Sequence, residues 1–308
     1  MTLQQLEYIV AVDRYRQFVK AAEACGVTQS TLSSMIHKLE EELDITIFDR
    51  NNHSVRPTHV GEQIINQAKV VLFHSRQLQE LSKSERQRSS GHINLGIIPT
   101  IAPYIIPKLF KYISAFPDVT LHATEVHRNK IIKRLKNAEL DMAIMSMPHG
   151  MEGLLAIPLY RERFWAYVSP NDPLYEEKEL TVKSMPMDRL WALRQEICFQ
   201  QEMTYSCEQE SLRDSIYDAG SIATLLGIVD ENDGFTIIPE LHIPSLPALR
   251  RKQLRPIVGK TPPQREVSLF VRNDYLHEGL LKIIVEGVMQ IIPEHMLDER
   301  LFKYDIRL

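Results

Sequence analysis

Cysteine is scarce in this 308-residue chain, with three in all. That excludes a small secreted scaffold stapled by disulfides. No apolar run reaches the ~18 residues a membrane span requires. Glycine is sparse too, at 12 residues. There is no Gly-rich phosphate loop and no G-x-S-x-G nucleophile elbow. No internal repeat or low-complexity stretch breaks the chain. Excess positive charge is also missing: 36 Lys and Arg stand against 40 Asp and Glu, a net charge of −4. A uniformly basic nucleic-acid binder is thereby excluded, but a local basic patch is not. The opening stretch has no basic leader and carries Glu7 and Asp13 inside its apolar run. It does not read as a signal peptide, and the expected compartment is the cytosol.

What is present is an ordinary globular composition, 44% hydrophobic, at a length that suggests two domains. The first ~90 residues read as helical. Leu3, Leu6, Ile9 and Val10 share one face, and Thr2 with Gln5 forms a possible capping box. A short helix fits Phe18 to Ala24. Gly26 offers a left-handed turn and Thr28 a cap for a third helix from Gln29 to Leu43. Its apolar face is Leu32, Ile36, Leu39 and Leu43. Ile45–Phe48 and Ser54–Arg56 read as a strand pair around turn residues. From His59 to about Arg86 a long helix is expected, ~40 Å in length. Its stripe comprises Val60, Ile64, Ala68, Val71, Leu72, Ser75, Leu78 and Leu81. Such a stripe most often pairs with a copy of itself, the alternative being its own domain. Residues 87–91 read as a linker.

Beyond Gly91 strands and helices alternate. Strands fit Ile93–Ile98, Val119–Val126, Met142–Met147, Phe164–Val168, Gly234–Ile238 and Val267–Val271. Helices fit Tyr104–Phe116, Asn129–Leu140, Glu208–Ala219, Ile222–Val229 and Gly279–Ile292. The alternation implies a parallel sheet covered by helices.

Two short helices joined by a Gly-containing turn suggest a helix-turn-helix, whose second helix presents base-reading side chains. Gln29, Ser30, Ser33, Ser34 and His37 suit that task. Arg50 and Arg56 would lie on a wing, and Lys20 and Lys38 are further phosphate candidates. Residues 1–58 hold six basic and eight acidic side chains, so phosphate contact falls to a few placed groups. On periodicity alone a DNA reader and a plain three-helix packing unit stay equally open.

The segment AAEACGVTQSTLSSMIHKLEEELDITIFDR with the following PTHVGE resembles the N-terminal signature of the LysR-type transcriptional regulators. Ala21-Ala22, Val27-Thr28-Gln29, Ser33, Ile36, Leu39-Glu40, Leu43, Phe48, Arg50, Thr58 and Gly61 carry the resemblance, which extends over nearly the whole chain. GSIATLLGIVDENDGFTIIPE (Gly220–Glu240) is similar to the family's late motif, with Asn232-Asp233 departing from its small-residue turn. The resemblance implies an α/β protein with an N-terminal winged helix-turn-helix over residues 1–58. A dimerising linker helix and hinge would follow over 59–90. A two-lobed effector domain like a periplasmic binding protein would fill 91–308, lobe I being about 91–162 with 268–308 and lobe II about 163–267. The implied partners are promoter DNA, RNA polymerase and further copies of the chain as a homodimer or homotetramer. No enzyme activity, cofactor, metal or membrane partner is expected.

Cys198 and Cys207 are nine positions apart. A structural disulfide does not suit a reducing compartment. A zinc site lacks a third and fourth ligand between them. On composition two inert core thiols are the plainer reading, although the polar segment Arg194–Gln209 suits an accessible loop. Here a second resemblance bears. The spacing C-x8-C, with Ile98–Tyr104 (IPTIAPY), is similar to the hydrogen-peroxide-sensing branch of the LysR-type family. It implies Cys198 as the peroxidatic thiol and Cys207 as the resolving thiol. It further implies Thr100 as a peroxide-binding residue and Arg265 as a stabiliser of the thiolate. The chain departs from that branch at Ile197 and Gln200, where a histidine and a basic residue are usual. His127 and Arg128, at a strand end, are candidates to replace them. Cys25, in the helix-turn-helix, is expected in the core. The alternative function is a LysR-type regulator that binds a small metabolite, its cysteines incidental. A different class again is a ligand-binding or enzymatic α/β protein whose N-terminal helices only dimerise it.

Overall fold

The structure is a computed structural model that describes residues 1–49, 55–81, 90–146, 152–191 and 221–303. The chain divides into two compact units, Met1–Arg88 with Arg134–Glu139, and Ser89–Lys133 with Leu140–Leu308.

In the first unit α1 spans Leu3–Tyr15, α2 Phe18–Ala24, α3 Gln29–Leu43 and α4 His59–Leu81. The boundaries follow from local chemistry. Thr2 and Gln5 form the expected capping box, which satisfies two amides that the first helical turn leaves bare. Gly26 takes φ +67°, a left-handed conformation nearly free of cost only for glycine. Thr28 then caps α3 by accepting from the Thr31 amide. The buried face of α1 is Gln5, Leu6, Tyr8, Ile9 and Val12. Leu3, expected on that face, is exposed, because it precedes the first full turn against α2 and α3. Leu32, Ile36 and Leu39 of α3 are fully buried in the same core with Ala21, Ala22, Ile47, Phe48 and Ile65. Cys25 is half-buried against this core.

The wing strands are shorter than the sequence suggests and begin later: β1 is Phe48–Asp49 and β2 Arg56–Pro57, paired antiparallel. Residues 45–47 are held another way. The buried Glu40 carboxylate accepts from the amides of Ile47 and Phe48 at 2.7 and 3.2 Å. A side chain of α3 thus does the work of a neighbouring strand. On α4, Ile65, Ala68 and Phe73 are buried, while Val60, Val71 and Leu78 of the expected stripe are exposed. The part of the stripe near Ala68 and Leu72 therefore packs within its own unit.

Among the described residues the second unit is built on an eight-stranded sheet. Its strands are β3 (Gly91–Ile97), β4 (Val119–Glu125), β5 (Met142–Ser146), β6 (Leu154–Val168), β7 (Leu180–Thr181), β8 (Phe235–Pro239), β9 (Leu254–Val258) and β10 (Gln264–Arg272). The helices are α5 (Ala102–Ile113), α6 (Arg128–Lys136), α7 (Ile222–Asn232), α8 (Ala248–Arg251), α9 (Glu278–Ile291) and α10 (Arg300–Lys303). The sheet is mixed rather than parallel. β3 runs parallel to β4 and β5, but β10 inserts antiparallel between β5 and β6. β10 comes from late in the chain, so its direction beside β5 and β6 is not set by the local strand–helix alternation.

β6 is the long axis of this unit. Only its last five residues were expected as a strand, because Arg161, Glu162 and Arg163 interrupt the apolar pattern. The strand continues regardless, since its period-2 alternation holds: Tyr160, Glu162 and Phe164 are buried, Arg161 and Arg163 exposed. Up to Arg163 β6 pairs with β10. From Phe164 it pairs with β8, and over Trp165–Tyr167 with β9 as well. Among the described residues no helix is long and apolar enough to cross a membrane.

Candidate functional site

Two places combine exposed or polar chemistry with a scaffold that fixes it. The first is α3. Gln29, Ser30, Ser34, His37 and Lys38 are exposed and Ser33 is half-buried, all away from the Leu32–Ile36–Leu39 face. Thr28, Ser30 and Thr31 link their hydroxyls at 2.8–3.0 Å, so the start of the helix is a cluster of small polar groups. His37 lies 3.4 Å from Glu41 one turn on. Arg56 is exposed on β2 opposite Asp49. Lys20 is also exposed. Arg50 lies outside the described residues. Burial, and next the nearby Glu7 carboxylate, raise the Cys25 thiol above its ordinary value, which keeps it protonated and poorly nucleophilic.

The second place is at the carboxyl end of β3, where ligand sites of α/β sheets gather. β3 ends at Ile97, and the turn through Pro99 sets Thr100 just before α5. Arg265 comes from β10, 165 positions later. Its Nη1 donates to Thr100 Oγ1 at 2.8 Å, and its Nη2 to the Thr100 carbonyl at 3.3 Å. Two residues singled out from sequence are therefore in direct contact.

Three further residues complete the cluster. Glu162 faces Arg265 in register across β6 and β10. Arg265 Nε donates to Glu162 Oε1 at 2.7 Å, and Nη2 is also 2.7 Å from that oxygen. Tyr104 Oη receives a hydrogen bond from Arg265 Nη2 at 2.8 Å and donates to the Thr100 carbonyl. The hydroxyl of Tyr160 is buried beside them, within reach of Tyr104. Glu162 is only 1% exposed. Burial raises its carboxyl above the ordinary value, against the opposing pull of Arg265. Burial works against the charge on Arg265, but Glu162 outweighs it and the guanidinium is held above its ordinary value. Sequence reading passed over Glu162. The signal was there in the alternation of Tyr160, Glu162 and Phe164, hidden by the flanking arginines.

His127 and Arg128 sit at the carboxyl end of β4, beside the same edge, since the Val126 amide donates to the Ile97 carbonyl. Thr100 and Arg265 hydrogen-bond one another and, between them, Tyr104 and Glu162. The His127 Nδ1 is buried with no hydrogen-bond partner. Cys198, Cys207, Ile197, Gln200 and the helix expected over Glu208–Ala219 lie outside the described residues. Among the described residues no three His, Cys, Asp or Glu side chains gather as a metal site.

A winged helix-turn-helix joined to an α/β unit with a buried polar cluster at a strand end is the build of a signal-responsive transcription regulator. Residues 3–62 match the bacterial regulatory helix-turn-helix proteins of the lysR family, and residues 86–286 match the LysR substrate binding domain. The chain belongs to the LysR family. It is similar to the hydrogen peroxide-inducible genes activator of Haemophilus influenzae, 30% identical over 275 residues, 88% of this chain and 91% of that one. It is as similar to the HTH-type transcriptional regulator EstR of Acinetobacter baylyi, 30% identical over 292 residues, 94% and 97% of the two chains. Among solved structures, a full-length Pseudomonas aeruginosa OxyR with one Cys-to-Asp substitution superposes at TM-score 0.78. It is 26% identical and covers 94% of this chain and 98% of that one. OxyR of Porphyromonas gingivalis superposes at 0.63, 31% identical, covering 68% and 96%. The protein is thus an OxyR-like LysR-family regulator with a DNA-binding helix-turn-helix.

Proposed function

We propose that this regulator senses hydrogen peroxide through Cys198 and Cys207 and controls oxidative-stress genes from promoter DNA in the cytoplasm. The thiolate of Cys198 attacks one peroxide oxygen. The O–O bond breaks, Cys198 becomes a sulfenic acid, and the departing hydroxide takes a proton to leave as water. The Cys207 thiol then attacks that sulfur, forming the disulfide and releasing a second water. In all, two thiols are oxidised, one peroxide is reduced and two waters form. Closing a bridge requires Cα atoms within about 7 Å, so a segment that holds the thiols apart must refold, giving a two-state element.

The observation that carries this reading is the hydrogen bond between Arg265 and Thr100. It joins the two implied peroxide-site residues at one strand end. Thr100 would hold the peroxide and Arg265 favour negative charge on the thiol. His127 and Arg128 are the candidates for lowering the thiol pKa where Ile197 and Gln200 cannot. The similarity to hydrogen peroxide-inducible genes activators supports the same reading.

In this reading residues 1–58 bind DNA and residues 59–90 pair two subunits through the exposed Val60, Val71 and Leu78. Residues 91–308 form the two-lobed effector domain, with lobe I at about 91–162 and 268–308 and lobe II at about 163–267. Pairs assemble into a tetramer that meets RNA polymerase. The test is mass spectrometry after stoichiometric peroxide, with Cys198→Ser beside the parent. The parent should gain an intramolecular Cys198–Cys207 disulfide and a changed promoter footprint. Cys198→Ser should bind the same DNA and respond to nothing. If the parent forms no disulfide and its footprint changes instead with a small metabolite, the equal similarity to EstR becomes the better guide.

A further inference from the structure

The reading above gives Glu162 no task, yet it is the most deeply buried charged side chain of the cluster, with its side chain wholly out of contact with solvent. We propose that Glu162 is the positioning residue of the peroxide site: it locks Arg265 as a donor to Thr100, so that Thr100 must direct its own hydroxyl proton away from Arg265 and keep it for a ligand. The inference rests on the peroxide reading of the same site.

The argument is an accounting of donors. Arg265 has five N–H groups in a rigid plane and no acceptor. Glu162 fixes that plane from one side, accepting from Nε at 2.7 Å with Nη2 in ion-pair contact. Tyr104 and the Thr100 carbonyl take the Nη2 protons. What remains is Nη1, and it donates to Thr100 Oγ1 at 2.8 Å. A hydroxyl has one proton and two lone pairs. With a lone pair of Thr100 Oγ1 occupied by Arg265, its proton must point elsewhere. Among the described residues it has no acceptor. The second Nη1 proton is likewise unassigned. Two donors therefore stand side by side, ready for one acceptor oxygen. The Glu162 carboxylate, bonded to Arg265 at 2.7 Å, holds those donors in a fixed direction. That suits a neutral ligand such as hydrogen peroxide, which charge alone would not orient.

The experiment measures the rate of Cys198–Cys207 disulfide formation with hydrogen peroxide in the full-length parent, Glu162→Gln, Thr100→Val and the double variant. Alkylation of Cys198 by iodoacetamide is followed in parallel. Each single substitution should slow the peroxide reaction about five- to tenfold, the worth of one net hydrogen bond. The double variant should be no slower than the slower single one, because both remove the same oriented proton. Alkylation, which needs no oriented peroxide, should not fall, because Arg265 keeps its charge, and Glu162→Asp should restore part of the rate. The proposal is overturned if Glu162→Gln reacts at the parental rate. It is also overturned if the two effects multiply, or if alkylation falls together with the peroxide rate. A parent that never forms the disulfide overturns the peroxide reading and this inference with it. A parent that does, alongside an unaffected Glu162→Gln, overturns this inference alone.

Discussion

Gly61 lies directly against the backbone of Ile47: a β-carbon added there would stand 2.0 Å from the Ile47 carbonyl oxygen and 2.8 Å from its carbonyl carbon. The first turn of α4 is thereby pressed onto the segment leading into the wing. Thr58 fastens the same junction, donating to the Thr46 carbonyl at 2.7 Å and accepting from the Gly61 amide at 2.9 Å. Neither backbone has a side chain that can swing aside. Gly61→Ala should therefore cost about 3 kcal/mol. It should also weaken operator binding, because the wing moves with the junction. Urea denaturation followed by far-ultraviolet circular dichroism reads the first effect and a promoter-binding titration the second. Parental values in both would show that the backbone yields easily.

Gln29 and Arg56 should differ in kind. Gln29 is exposed at the start of α3, and Arg56 is exposed on the wing. Gln29→Ala should lose ~1–3 kcal/mol on its operator and much less on random DNA. Arg56→Ala should weaken both alike and lower the salt slope by about one. Binding titrations over a range of salt separate the two. Equal loss on both DNAs for Gln29→Ala would remove it from the base-reading set.

Removing one half of the buried pair should be far worse than removing both. Glu162→Ala leaves the Arg265 guanidinium charged and buried, at a cost of ~3–5 kcal/mol. Glu162→Leu together with Arg265→Met should return most of that stability. Both tryptophans of the chain, Trp165 and Trp191, belong to the second unit, so their fluorescence in urea reports on it. The pH dependence has a definite sign. Burial holds the folded Glu162 carboxyl above its ordinary 4.5, so the folded state keeps that proton to higher pH than the unfolded state. Its contribution is complete below 4.5 and declines as pH rises through the folded value. Glu162→Gln should lack that decline.

Asp298 should behave in the opposite way. Arg300 donates to it from Nε and Nη2 at 2.8 Å. These hydrogen bonds bring the carboxyl from 3.8 down to about 2, against the effect of burial. Its stabilisation is present above 3.8 and lost as pH falls toward 2, and is worth about 2 kcal/mol at neutral pH. Asp298→Asn should flatten the acid limb of the stability curve. An unchanged limb would place that limb with other carboxylates.

Much of the DNA-binding unit was legible because its signals are local. A cap, a left-handed glycine and a three-and-four apolar spacing are each written within a few residues of where they act. The limits of α2 and α3 agree with the structure to the residue. The wing was misjudged because Glu40, seven residues away, takes the hydrogen bonds of Ile47. The second unit was legible as alternating elements but not as a mixed sheet, since strand direction is decided by partners far along the chain. Thr100 and Arg265 came from a resemblance to relatives, and spacing alone joins neither to the other. Glu162 stayed hidden because a charged residue between two arginines looks like solvated surface until burial is known.

Adjacent positions of β6 and β10 carry ion pairs on opposite faces of the sheet: Glu162 with Arg265 inside, Arg161 with Glu266 outside. The order of charges is reversed between the strands, Arg-Glu-Arg against Gln-Arg-Glu. A slip of one residue in either direction would set an arginine opposite Arg265, against Arg163 one way and Arg161 the other. It would also turn the slipped strand's buried face outward. A slip of two keeps the faces but places Glu162 opposite Val267 or Pro263, leaving two buried charges unmatched. This stretch of sequence thus works as a ratchet during folding, admitting one alignment of the strands and penalising each neighbouring one electrostatically.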